Sequence, residues 1–233
     1  MTASTIPSIG IDFGGTSIKM GVVKGAEVIA HAPSIATQEY GNPDQLIEAI
    51  AQFVNMLRLN HPEVQAIGMG MPGFVNFYQG TVYTLTNVPG WNNVPVRDML
   101  QAACGLPVYV ENDANCAALA EYHAGAGRGS KRFVTITLGT GIGAGIIHNG
   151  KIFHGGNGMA GEVGHTCIDY QGLPCPCGRR GCWEQYASAS ALKRFTAQAQ
   201  LGNPDSILAR VIREHDGHVS GPVSYTHLTL PTT

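Results

Sequence analysis

Three cysteines, Cys175, Cys177 and Cys182, fall within eight residues of one another, and His165 stands ten residues ahead of the first. Three thiolates and an imidazole are enough to close a tetrahedral structural zinc site. The spacing lacks the Cys-x2-Cys of finger and treble-clef sites, so a chance cluster of free thiols is the competing reading. Cys104, Cys116 and Cys167 read as small buried hydrophobes or as nothing in particular. Around the cluster lie Glu162, inside Gly161-Glu-Val-Gly-His165, and Glu184, just after Cys182-Trp183. A metal clamping this stretch would fix two carboxylates and an imidazole in one place, an arrangement suited to binding several sugar hydroxyls.

Two glycine turns form a second group. Gly14-Gly15-Thr16 and Gly139-Thr140-Gly141, with Gly143 beyond, each lie between two strand-like runs. Glycine lets backbone N–H groups come close to phosphate oxygens, and the threonine hydroxyls add donors. Neither turn is a Walker A loop, since no Gly-Lys-Ser/Thr follows, and neither is a Rossmann fingerprint, since a strand follows instead of a helix. Tight hairpins are the bland alternative. Asp12, next to the first turn, suits Mg²⁺ held directly or through water, or a turn cap. Glu111-Asn112-Asp113-Ala114-Asn115 marks the end of a strand and the start of a helix, where ligands bind in open α/β sheets. Asp113 is there either the helix cap or a general base aimed at a hydroxyl.

The elements that must hold these residues follow from hydrophobic period and turn signals. Residues 9–13, 18–23 and 27–30 read as strands, with Lys24-Gly25 as a tight turn. Asn42-Pro43-Asp44 opens a helix with Leu46, Ile47, Ile50, Phe53, Val54 and Leu57 on one face, stopped by His61-Pro62. Strands follow over 64–71 and 107–110, and helices over 96–103, 114–124, 183–200 and 204–214. A shift of 125 residues lays Ile9–Gly14 on Val134–Gly139 and Gly25 on Gly150, so the opening strand-turn-strand-turn-strand unit occurs twice. Alternating strands and helices point to an α/β fold built from two related domains.

Composition agrees with this. The 233 residues carry a net charge of −2, and 44% are hydrophobic, which allows a sizeable core and offers no field for nucleic acid or an anionic membrane. Glycine numbers 31, well above the roughly 7% of ordinary chains, which places the excess in local backbone work. Residues 1–10 contain no basic segment followed by an apolar run, and no stretch of about 18 apolar residues occurs. Clustered cysteines without a secretory signal suit a reducing, cytoplasmic setting.

Taken together, Asp12-Phe-Gly-Gly-Thr16, Glu111-Asn-Asp-Ala-Asn115, Leu138-Gly-Thr-Gly-Ile-Gly-Ala-Gly145, Gly161-Glu-Val-Gly-His165 and Cys175-Pro-Cys-Gly-Arg-Arg-Gly-Cys-Trp-Glu184 resemble the ROK family of bacterial sugar kinases and repressors. The resemblance runs over residues 9 to about 200. It implies an actin-like ATPase (ribonuclease H-like) fold of two related α/β domains around a cleft, ATP and Mg²⁺ as cofactors, a hexose phosphorylated at its 6-hydroxyl, and a homodimer. Glucose is the first expected hexose; N-acetylglucosamine, N-acetylmannosamine, fructose and allose are alternatives. By position, Asp113 is the catalytic base, and Asn112, Glu162, His165 and Glu184 bind the sugar. His165, Cys175, Cys177 and Cys182 are the zinc ligands. The turns at Gly14, Gly15 and Thr16 and at Gly139, Thr140, Gly141 and Gly143 receive the phosphates, with Asp12 beside them.

Two other classes compete. A repressor of the same family carries a helix-turn-helix ahead of the first glycine motif, and only eight residues precede Ile9. A zinc-bearing interaction module would need neither ATP nor sugar. The expected organisation is a small domain over 1–113, a larger and incomplete domain over 114–219 with its zinc loop at 165–182, and a tail over 220–233 that fits neither the family nor an amphipathic element. Loss of covering helices from the second domain is expected to expose apolar surface.

Overall fold

The computed structural model describes residues 6–85 and 88–214. Its first four strands are β1 (Ser8–Phe13), β2 (Ser17–Lys24), β3 (Glu27–His31) and β4 (Ile35–Ala36). Helix α1 (Pro43–Asn60) follows, then β5 (Ile67–Met71). Asn42 Oδ1 accepts from the Gln45 N–H at 3.0 Å, and Pro43 occupies the first helical turn, so α1 starts where the sequence signals it. Its buried face is Leu46, Ile47, Ile50, Val54 and Leu57, with Phe53 only partly covered. The strand expected over 64–71 is shorter than anticipated, because a turn closed by Val64 N–H to the His61 carbonyl occupies its first residues.

A small antiparallel sheet without a legible sequence period follows: β6 (Val75–Asn76), β7 (Thr81–Thr84) and β8 (Asn92–Val94). Strands of two to four residues are too short to show alternation. Helix α2 (Val96–Cys104), strand β9 (Val108–Asn112) and helix α3 (Asp113–Ala124) complete the first half. The main sheet has the order β3-β2-β1-β5-β9, with β4 on β2. Its first three strands pair antiparallel, whereas β1, β5 and β9 run parallel. Ile9, Ile11 and Phe13 are buried in alternation along β1, as period-two patterning requires.

The second half repeats the opening. Strands β10 (Arg132–Leu138), β11 (Ile142–His148) and β12 (Lys151–Ile152) form a three-stranded sheet in that order. Its second tight turn, at Asn149-Gly150, has positive φ at both residues, and Gly150 at +77° answers Gly25 at +65° one repeat earlier. Three alternate residues of β10 stand exposed: Val134 at 53%, Ile136 at 49% and Leu138 at 68%. The helix expected over 183–200 is broken in two, α4 (Glu184–Ala187) and α5 (Ala189–Gly202). Ser188 breaks it by taking an extended conformation and capping the Ala191 N–H with its hydroxyl. Helix α6 (Ile207–Glu214) ends the described chain, so the 220–233 tail lies outside the described residues.

By internal contacts the chain divides into residues 6–135 with Gly145–Gly161, and Ile136–Ala144 with residues 162–214. Helix α3 falls in the first unit, where it packs on β5 and β9. Among the described residues no helix is long and apolar enough to cross a membrane.

Gly145 sets how closely β11 approaches α3. A Cβ there would collide with the Ala118 methyl and stand 2.6 Å from the Ala114 carbonyl oxygen. Gly145→Ala is therefore expected to lower stability by about 1–3 kcal/mol, read from chemical denaturation midpoints.

Candidate functional site

In the first unit the site is built at the carboxyl edge of the parallel strands. Register places Asp12 beside Gly70 and Gly70 beside Glu111, and the next pair joins Met71 to Asn112. Asp12, Asn112 and Asp113 are thus delivered to one edge of one sheet. The first glycine turn sits at the same edge: Gly14 N–H donates to the Ser17 carbonyl at 3.0 Å, and the Thr37 hydroxyl donates to the Gly15 carbonyl at 3.1 Å.

The β9–α3 junction is tied down by side chains. Asn112 Oδ1 accepts from the N–H groups of Ala114 at 2.9 Å and Asn115 at 3.2 Å, and its Nδ2 donates to the Gly73 carbonyl at 3.2 Å. The helix cap is therefore Asn112. Asp113 is the first helical residue, and its Oδ1 accepts from the Ala114 N–H at 2.8 Å. Asp113 is an exposed residue and is not the cap of the helix. Desolvation among its neighbours raises its pKa, the Ala114 N–H pulls the other way, and the Asp12 charge raises it further. Burial, reinforced by Glu111, Asp113 and Asp12, pushes the Cys116 thiol up to about 12, so it stays protonated.

Two residues that sequence reasoning missed complete this junction. His154 Nε2 donates to Glu111 Oε2 at 2.7 Å, and its ring stacks on Phe77 with centroids 3.5 Å apart. No spacing rule links positions 77, 111 and 154; only the fold brings them together.

In the second unit three motifs converge on Ile142. Its N–H donates to Glu184 Oε2 at 3.0 Å, so one carboxylate oxygen of a predicted sugar-binding residue holds the exit of the second glycine turn. Gly141 leaves room for that carboxylate, and Gly164 leaves room for the Ile142 carbonyl; a Cβ at either position would overlap it. The turn itself closes through Gly139 N–H to the Gly141 carbonyl at 3.0 Å, and Ala189 N–H donates to the Gly139 carbonyl at 2.9 Å. Glu162 is exposed, directly ahead of a short 3₁₀ helix, Val163–His165.

His165, Cys175, Cys177 and Cys182 present one ligand atom each, all within 4.8 Å of one another. Cys175 Sγ lies 3.6 Å from His165 Nδ1, and Cys177 Sγ lies 3.6 Å from Cys182 Sγ. Ligands of a tetrahedral zinc should stand roughly 3.5–3.8 Å apart given its bond lengths, so the donor set fits the ion. Hydrogen bonding from the Arg179 backbone pulls the Cys177 thiol down to about 6, while burial pushes Cys182 up to about 12. Of these two thiols, Cys177 ionises first. Outside the cluster, Cys104 is buried as expected, whereas Cys167 is exposed.

Removing the Glu184 carboxylate would leave the N–H of buried Ile142 without this acceptor. Glu184→Ala is expected to cost about 1–3 kcal/mol in denaturation experiments and to speed amide exchange at Ile142.

The family model described as "ROK family" matches residues 8–221. A glucokinase of Streptomyces coelicolor is 43% identical over 198 residues, covering 85% of this chain and 61% of the relative. A xylose repressor of Bacillus subtilis is 33% identical, covering 86% of this chain and 53% of the relative. The chain thus spans little more than half the length of these curated relatives. A solved ROK family glucokinase from Streptomyces griseus, in complex with glucose and AMPPNP, superposes with a TM-score of 0.79 at 38% identity, covering 93% of this chain and 69% of that one. The α/β architecture is accordingly that of the actin-like ATPases, and with its five motifs in order and the family match spanning nearly its whole length, the chain belongs to the ROK family.

Proposed function

We propose that the complete protein transfers the γ-phosphoryl group of ATP to the 6-hydroxyl of a hexose, with glucose as the preferred substrate. The observation that carries this reading is Asp113, a carboxylate relieved of capping duty, placed at the carboxyl edge of a parallel sheet and raised in pKa. A general base working near neutral pH needs such a group. The likeness to glucokinases supports the choice of sugar.

In this reading Asp113 accepts the proton of the 6-hydroxyl as that oxygen meets the γ-phosphorus. Asn112, Glu162, His165 and Glu184 bind the remaining hydroxyls and orient the sugar. The turns at Gly14, Gly15 and Thr16 and at Gly139, Thr140, Gly141 and Gly143 receive the phosphates through backbone N–H groups. Asp12 would hold Mg²⁺, which when bound offsets charge on the transferring group. Most of the rate gain is positioning and electrostatics. His165, Cys175, Cys177 and Cys182 would hold zinc, a structural cross-link for the 165–182 loop between the two sugar-binding carboxylates. A cytoplasmic homodimer, with functional domains over 1–113 and 114–219, belongs to the same reading. Likeness to the xylose repressor favours a second one, a sugar-responsive DNA-binding protein. Salt-dependent operator binding without sugar phosphorylation would replace the first reading by the second.

Asp113→Asn is expected to lower turnover by about 10²–10⁴-fold in a coupled assay on the complete protein. Its folded pKa is raised, so the ionised carboxylate costs stability above that pKa and costs nothing below the unfolded value near 3.9. The variant should therefore melt slightly higher than the parent at pH 7, and the gain should vanish on acidification; solvent screening keeps it small.

Elemental analysis should find zinc at about one per chain, the capacity of one Cys₃His shell. Cys177→Ser should lose the metal and, with the loop loosened, sugar affinity. Unchelated protein free of zinc would remove the metal from this account.

A further inference from the structure

The base in the proposed reaction is only as well placed as the β9–α3 junction that carries it, and that junction hangs on Glu111. Glu111 Oε1 accepts from the Asn112 N–H at 2.8 Å and from Asn115 Nδ2 at 2.9 Å, spanning the last strand residue and the first helical turn across Asp113. Its second oxygen takes the 2.7 Å hydrogen bond from His154 Nε2. Both side chains are about one-fifth exposed, at 20% and 19%, so water competes weakly for this bond. The His154 ring is in turn held flat against Phe77, with 11° between the planes. Phe77 follows β6, the His154 carbonyl accepts from the Ala160 N–H at 3.0 Å, and two residues beyond Ala160 comes Glu162.

We propose that His154 is a positioning residue: by holding Glu111 it fixes the backbone that aims Asp113, and it moors to that junction the segment from His154 to Ala160. The proposal rests on the phosphotransfer reading above and adds to it a residue that touches no reactant. A planar donor at this position has two separable features, its stacked face and its N–H. His154→Phe keeps a ring for Phe77 and deletes the donor. His154→Gln removes the ring and offers an amide N–H where Nε2 stood.

The test uses the complete protein and two readouts, steady-state kinetics on glucose and hydrogen exchange at the amides of Asn112, Ala114 and Asn115. His154→Phe is expected to lower kcat about tenfold with KM for glucose changed less than about threefold, since small misplacements of reacting groups fall on turnover. Exchange at the three amides should quicken, and His154→Gln should return both readouts to near the parent values. Wild-type turnover and exchange in His154→Phe would overturn the proposal. So would a slowed His154→Phe with unchanged exchange, which would mean contact with the substrate, or a His154→Gln as impaired as the phenylalanine variant. A parent protein that phosphorylates no hexose would instead end the phosphotransfer reading, and the exchange comparison alone would then decide whether His154 holds the junction.

Discussion

The parallel pairing of β1, β5 and β9 is the constraint on which the first unit's site depends. Parallel strands end on the same side, so their carboxyl ends collect at one edge whatever the sequence distance between them. Here that edge receives Asp12 from β1, Gly70 and Met71 from β5, and Glu111 and Asn112 from β9. Gly70 leaves α3 close to the sheet, since a Cβ there would already touch Cys116 Sγ at 3.4 Å and the Asp113 Cα at 3.6 Å. Desolvation at this edge raises the Asp113 pKa, and the Asp12 charge adds to that rise. The sheet that brings Asp113 to the edge thereby also shifts its titration.

At this edge, neighbouring side chains take separate tasks. A carboxylate at a helix start is readily consumed as a cap. Asn112 takes that task, one residue earlier, and Glu111 satisfies the Asn112 N–H and the Asn115 side chain. Asp113 takes hydrogen bonds from local backbone N–H groups, that of Ala114 among them, and is not the cap. Polar residues around a reactive group commonly do this work of holding the backbone so that one group remains available.

The second unit uses backbone approach in place of a helix start. Ile142 offers its N–H to Glu184 and its carbonyl side to Gly164, so the glycine turn, the 3₁₀ turn ending at His165 and the cysteine-rich loop meet around one residue. Gly141 and Gly164 are required there by contact, not by unusual dihedrals, as neither has positive φ. The side chains of His165, Cys175, Cys177 and Cys182 gather within the same loop. Glu184 is thereby tied to the exit of the second glycine turn, a coupling invisible in a motif read one residue at a time.

Much of this protein is determined by its sequence alone. Period and punctuation locate β1 to β3, α1 and its Asn42 cap, and the 125-residue repeat, because these are local matters of side-chain alternation, capping and turn chemistry. The Cys₃His set is legible for the same reason, since its ligands lie within 18 residues and need only one loop to meet. Tertiary structure decided the rest. The short strands β6 to β8 carry too few residues for a period and exist through their pairing. Ser188 breaks a helix that propensity alone would continue, its hydroxyl accepting from the Ala191 N–H. That Asn112 caps α3 while Asp113 stays available turns on which side-chain oxygen reaches which amide. The joining of Phe77, Glu111 and His154 depends on chain reversals that bring residues tens of positions apart into van der Waals and hydrogen-bonding range, and such contacts leave no spacing in the sequence to read.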